Sequence, residues 1–210
     1  WPNKPDIVFE GGNLLLGLEN NIEAHEDLEE LSTYHRIIPR YFQTLNGTSL
    51  ATAQAAYMAS VIRFYYPEFW PETIRGLMVH SADWSPELIN QFNIDLKKKE
   101  HVAHLLRHVG YGIPNLQKAL HCAANSLTLI AENELQPYKK ENSGYKTNEM
   151  HLYNLPWPKD QLMDLGETQV RLRITLSFFI EPGPGEVGWK DRYRYASHGF
   201  RFDLNNVDET

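Results

Sequence analysis

From Ser49 to Tyr66 the chain reads SLATAQAAYMASVIRFYY, without a proline or glycine, closed upstream by Asn46-Gly47-Thr48 and downstream by Pro67. Turn and cap chemistry before such a run and proline after it predict one helix. Ala51, Ala53, Ala55, Ala56 and Ala59 put small side chains on all sides of its first part, and Val61, Ile62, Phe64, Tyr65 and Tyr66 fill its last. With no continuous polar face, this helix is expected to be central and buried nearly all round. Ser49 at its mouth then has two readings. It is a hydroxyl held at the positive end of a helix for chemistry, or the first turn of a structural helix.

The neighbouring segments build a layer around that helix. PETIRGLMVHSA (71–82) has proline at its start, Glu72 in its first turn and Ile74, Leu77, Met78 and Ala82 at helical spacing, so it should pack beside the first helix. Residues 95–108 are a third, amphipathic candidate, and a helical pattern resumes from Asn115 to Ala124. Between them VGYGIP places a tight turn at 110–114, with Gly110 and Gly112 as its structural glycines. Upstream, DIVF (6–9) reads as a short strand, and the GGN after it needs permissive backbone angles or the close approach of another segment. Residues 20–36 are polar and acidic, as suits a surface excursion or short helix.

From about residue 126 the period changes. SLTLIAEN, the alternating VRLRITLSFFIE (170–181) and YASHGFRFDL (195–204) predict strands of a half-exposed antiparallel sheet. The expected organisation is therefore α/β, a helix-rich region over 1–125 followed by a small β domain over 126–210.

Composition narrows the function classes. The 210 residues are 42% hydrophobic, enough for a core in one large or two small domains. A formal charge of −7, with KKK at 97–99 the longest basic tract, argues against nucleic acid or an anionic membrane surface as partner. No apolar run approaches the roughly 18 residues of a membrane-spanning helix. Cys122 is the single cysteine, which excludes an internal disulfide and a cysteine-rich metal site and favours a cytoplasmic home without fixing it.

Several histidines invite a functional reading. His101, His104 and His108 share one helix face, but no carboxylate is fixed opposite them, so a solvated or interfacial face is expected rather than zinc. His80 and His121 read as packing or helix-end residues. Ser197 and His198, adjacent in a strand, point to opposite faces and form no proton relay. In WKDRYRYASHGFRF the arginine stems are expected to pack over tyrosine rings. EPGPGEVG is a loop and not a phosphate cradle, since no lysine-serine signal follows it. No cofactor and no metal are expected.

NGTSLATAQ resembles the serine motif of subtilisin-like serine peptidases, in which Gly-Thr-Ser opens a small-residue helix. KPDIVFEGG resembles the family segment upstream of that motif, VGYGIPNLQKAL the glycine-containing turn and helix downstream, and the helix ending MVHSAD a comparable family helix. The order and spacing agree over residues 2–124. Two positions depart from the pattern: Ala53 stands where Gly-Thr-Ser-x-Ala-x-Pro has proline, and Glu10 where a proline is common. LPWP at 155–158 and the strand after it resemble the entrance to an accessory β-sandwich found in some subtilases.

The resemblance implies the C-terminal half of a three-layer subtilisin-like α/β domain followed by a small antiparallel β-sandwich-like domain. It makes Ser49 the catalytic nucleophile and implies turn and oxyanion support from Gly47, Thr48 and the Ser49 N–H. A side chain at Gly47 would obstruct the scissile carbonyl or the approach to the helix, and Thr48 would cap or brace the turn. The family's chain order is aspartate, histidine, serine, and the histidines ahead of Ser49, His25 and His35, lie in the polar excursion, away from the family's catalytic position. The chain, opening on a proline-bounded loop, thus reads as the serine-bearing part of an endopeptidase: a cloned piece, a cleavage product still held by its N-terminal partner, or a scaffold reused without catalysis. The implied partners are a peptide or protein substrate and the N-terminal part of the same protease. The piece alone is expected to be inactive and to self-associate through uncovered apolar surface. The alternative is a noncatalytic protein-interaction module on the same scaffold.

Overall fold

Helix α1 spans Thr48–Tyr65, between the turn and the proline that delimit it in the sequence. The computed structural model describes residues 5–124, 128–142, 144–154 and 158–179, and the chain divides into two compact units, residues 2–125 and residues from 126 onward. In the first unit α2 (Pro71–Ser81) and α5 (Leu116–Ala124) pack on α1 and on each other. Helices α3 (Pro86–Gln91) and α4 (Lys99–Val109) lie between them in the chain. The core is made by Met58 and Ile62 of α1, Leu77 and Met78 of α2, Ala82, Leu105 and Val109 of α4, and Ala119 of α5.

All-round burial of α1 is not what the structure shows. Met58 and Ile62 are buried, but Tyr57, Phe64 and Tyr65 expose 65%, 79% and 61% of their surface. Small side chains permit close approach and do not create the neighbour. Among the described residues, α2 and α5 make the main helix packing on α1.

Helix α4 starts later than the expected 95–108 because Asp95 makes a turn of its own. Its carboxylate accepts from the Lys97 N–H at 3.0 Å and its carbonyl from the Lys98 N–H at 3.0 Å. Helix α3 is not among the elements expected from the sequence, although Ser85 caps it by accepting from the Leu88 N–H at 3.3 Å and Pro86 opens it.

The connection 110–115 locks the first unit together. Gly110 and Gly112 have φ of 56° and 97°. Asp83 and Ile113 exchange both backbone hydrogen bonds, at 3.1 and 2.9 Å, and the Trp84 indole donates to the Gly110 carbonyl at 2.9 Å. The buried Ser81 hydroxyl donates to the Met78 carbonyl at 2.9 Å and accepts from the Asn115 N–H at 3.2 Å, so its polarity is satisfied inside the core.

DIVF is not a strand. It is bound to that connection through Tyr111 N–H to the Asp6 carbonyl (2.8 Å) and Val8 N–H to the Gly112 carbonyl (3.0 Å), too few bonds for a ladder. Asp6 also accepts a forked pair from the Arg75 guanidinium of α2, closest at 3.1 Å. Both side chains are partly exposed, which weakens the ion pair. Asp6→Asn is expected to lower unfolding stability by about 1–2 kcal/mol, read from the urea midpoint at constant m-value.

The excursion lies on the surface, but as hairpins. Strand β1 (Leu15–Leu16) pairs antiparallel with β2 (Ile22–Glu23). A 3-10 turn follows at Glu26–Leu28, and β3 (Glu30–Thr33) then pairs antiparallel with β4 (Phe42–Leu45).

The second unit is a small antiparallel sheet region. Among its described residues β5 (Tyr138–Glu141) pairs with β6 (Gly144–Thr147), and a short helix, α6, covers Lys159–Asp164. Among the described residues this sheet is two-stranded. The strands expected from SLTLIAEN and over 170–181 are not among the elements of the described residues, while 180–210, including YASHGFRFDL, Ser197 and His198, lie outside them. LPWP falls outside as well, except Pro158.

On the β5–β6 hairpin Glu141 lies 2.5 Å from the Lys146 ammonium and 3.2 Å from that of Lys139. Lys146 first, then Lys139, hold its carboxyl below the usual range. A lowered folded-state pKa stabilises the hairpin above the unfolded pKa, and that support is lost as pH falls through the folded one. Glu141→Gln should remove this acid-limb dependence from the β6 amide shifts in an NMR titration.

Candidate active site

Gly47 is the N-cap of α1, with φ 154° and ψ 155°, and it carries no side-chain cap. Thr48 is therefore the first helical residue and not the cap. Its carbonyl accepts from the Thr52 hydroxyl at 2.9 Å. Within the described residues a Cβ at 47 would meet nothing within 4 Å, so what the chain itself requires of glycine there is the backbone conformation.

A cradle built from residues 10–13 holds this turn. The Gly47 N–H donates to the Gly11 carbonyl at 2.6 Å, the Gln54 amide to the Glu10 carbonyl at 2.8 Å, and the Asn46 amide to the Asn13 carbonyl at 3.4 Å. A Cβ on Gly11 would stand 3.1 Å from the Gly47 carbonyl oxygen, and one on Gly12 would stand 2.6 Å from the Asn46 Cβ. Gly12 also has φ 84°. Both conditions read from GGN, permissive angles and close approach, are therefore met. Glu10 has a task that proline could not perform: its carboxylate accepts from the N–H groups of Gly11 and Gly12 at 3.2 and 3.0 Å. The sequence signal for it was a carboxylate immediately before a Gly-Gly pair.

Ser49 lies in the first turn of α1 and is exposed. Its N–H has no acceptor within the helix, and no acidic side chain in that turn offsets the positive helix end. Such a position can bind and stabilise a developing oxyanion. Among the described residues its hydroxyl makes no hydrogen bond, and neither excursion histidine is its partner. The His25 Nδ1 accepts from the Asp27 N–H at 3.3 Å, and the His35 ring meets Tyr34 edge-on at 4.5 Å.

The α4 histidines are engaged locally. His101 Nδ1 accepts from the Asp95 N–H at 3.1 Å, and the rings of His104 and His108, 4.3 Å apart, both pack against Phe92. Among the described residues no group of three or more His, Cys, Asp or Glu side chains could hold a metal ion, and no helix is long and apolar enough to cross a membrane.

The first unit is thus mixed α/β, with Ser49 exposed in the first turn of a glycine-capped helix. The chain belongs to the subtilase family, whose model matches residues 1–112. Curated proteins and solved structures gave no match.

Proposed function

We propose that this chain is the serine-bearing part of a subtilisin-like endopeptidase, with Ser49 the nucleophile that forms the acyl-enzyme. The observation that carries the reading is the exposed Ser49 in the uncompensated first turn of α1, behind a Gly47 conformation available to glycine, in a chain that belongs to the subtilase family. A serine hydroxyl needs a base and a group to orient that base. His25 and His35 are engaged with Asp27 and Tyr34, and the family's order of aspartate, histidine, serine leads this reading to assign the pair to a segment preceding these residues in the complete protease. Gly47 shapes the turn, the Ser49 N–H supports the oxyanion, and Gly110 and Gly112 secure the turn that positions the 5–12 segment. Without that partner segment the chain is inactive, and the uncovered side of α1 makes it self-associate or depend on the partner.

The test is active-site labelling with a fluorophosphonate probe, read by intact mass, on the full-length protease and on the 210-residue chain. Labelling of the full protein at Ser49, lost in Ser49→Ala and absent from the 210-residue chain, is the expected result. No labelling of a folded, mature full-length protein would overturn the assignment and leave a noncatalytic interaction module on a subtilase scaffold.

A further inference from the structure

We propose that the β3–β4 hairpin is a substrate-recognition arm that selects polypeptides carrying an acidic side chain near the scissile bond. The proposal rests on the reading of Ser49 as nucleophile, and it assigns that site a substrate class.

The arm is attached to the serine turn itself. Residues 13–45 leave the cradle and return to it, pinched at the base by Gly47 N–H to the Gly11 carbonyl and by the Asn46 amide to the Asn13 carbonyl. Strand β4 ends at Leu45, and Asn46-Gly47-Thr48 leads directly to Ser49. A peptide lying along β4 is therefore led toward the hydroxyl.

The tip carries the charge. It is closed by the Tyr34 N–H donating to the Tyr41 carbonyl at 2.8 Å. The Arg40 guanidinium lies 4.7 Å over the Tyr34 ring and reaches the Gln43 side-chain oxygen at 3.5 Å. Stacking of this kind fixes the plane of a guanidinium and leaves most of its donors outward. Arg36 is exposed on the same tip. Among the described residues neither arginine has a carboxylate partner, although the 13–45 arm itself contains Glu19, Glu23, Glu26, Asp27, Glu29 and Glu30. Two unneutralised guanidiniums on a chain of formal charge −7 are complementary to a carboxylate supplied from outside.

The rest of the arm suits an extended polypeptide. Leu31 pairs with Thr44 and Thr33 with Phe42, so these four share one face, on which Leu31 and Phe42 are 68% and 58% exposed. Among the described residues β4 pairs with β3 alone, which leaves its outer edge open to main-chain hydrogen bonds. Apolar side chains, a free strand edge and a fixed basic tip together fit a peptide with one acidic anchor better than a small ester.

The experiment uses the full-length protease and peptide sets that differ only by Asp, Asn or Lys at each position on either side of the cleaved bond. At one or more positions Asp should raise kcat/KM about 10-fold over Asn, the effect of one charge-assisted contact. In Arg36→Ala/Arg40→Ala this ratio, internal to each enzyme, should fall to about 1, and in Arg36→Glu/Arg40→Glu the preference should pass to Lys. A merely structural hairpin would not invert charge preference. Fluorophosphonate labelling of the wild-type enzyme without any Asp preference, or a preference unchanged in both variants, overturns the arm alone. Absence of labelling overturns the nucleophile reading and the arm with it.

Discussion

Ser49→Ala in the full-length protein is expected, on the proposed nucleophile role, to lower kcat by about 10⁶-fold with little change in KM, the loss that follows when the nucleophile is taken from a working triad. At 1.36 kcal/mol per decade this is about 8 kcal/mol of transition-state stabilisation. On that reading the loss is large because triad members act as a unit: a base with nothing to deprotonate and an oxyanion hole with no tetrahedral intermediate contribute only their residual effect over water. The same substitution should leave the fold untouched. Ser49 is exposed, its side chain makes no hydrogen bond to a described residue, and alanine is a good helix former, so the stability change is expected within about 0.5 kcal/mol. Steady-state kinetics and a thermal melt on the same preparation check both halves. Retained peptidase activity in the alanine variant would remove Ser49 from the mechanism.

What was legible in the sequence follows the punctuation of the chain. Helices α1 and α2 were readable because a turn or proline marks their boundaries and neither is interrupted. Ser85-Pro86-Glu87 was equally good punctuation for α3, but the element after it is too short to show a period. The excursion concealed its strands for a physical reason: β1 and β2 are two residues each, and β3 and β4 expose apolar residues such as Leu31 and Phe42, so no apolar-in, polar-out alternation marks them. The burial of α1 was not legible at all, since composition states what a helix tolerates and not what covers it. At the candidate site the Gly-Thr-Ser turn stood out as a motif, whereas the bracing by Glu10, Gln54 and Asn46 joins residues far apart in the chain or bonds side chain to backbone, which leaves no periodic trace.

Gly110→Ala and Gly112→Ala are expected to be the most destabilising substitutions in the first unit. Both glycines have positive φ, which alone costs a non-glycine residue about 1 kcal/mol or more. The decisive part is what stands beside them. A Cβ on Gly110 would lie 2.3 Å from the Asp6 carbonyl oxygen and 2.4 Å from that of Pro5, and one on Gly112 would lie 2.2 Å from the Asp83 carbonyl oxygen. These are backbone atoms and cannot swing aside like a side-chain end. Relief requires the 5–8 segment to part from the turn, with loss of the Tyr111–Asp6 and Val8–Gly112 hydrogen bonds, or the Asp83–Ile113 pair to open. A loss of about 3–5 kcal/mol follows for each variant, a large share of the stability of an ordinary domain. Gly47→Ala is the contrast: with nothing within 4 Å of its Cβ it carries the conformational cost alone, about 1–3 kcal/mol, and acts mainly on the turn that presents Ser49. Urea unfolding of the three variants separates these cases, and a loss below about 1 kcal/mol for Gly110→Ala would mean that the 5–8 segment is not held by this turn. The same detachment should slow fluorophosphonate labelling in the complete protease, because the segment that leaves Gly110 continues through Glu10 into the Gly11 carbonyl that fixes Gly47.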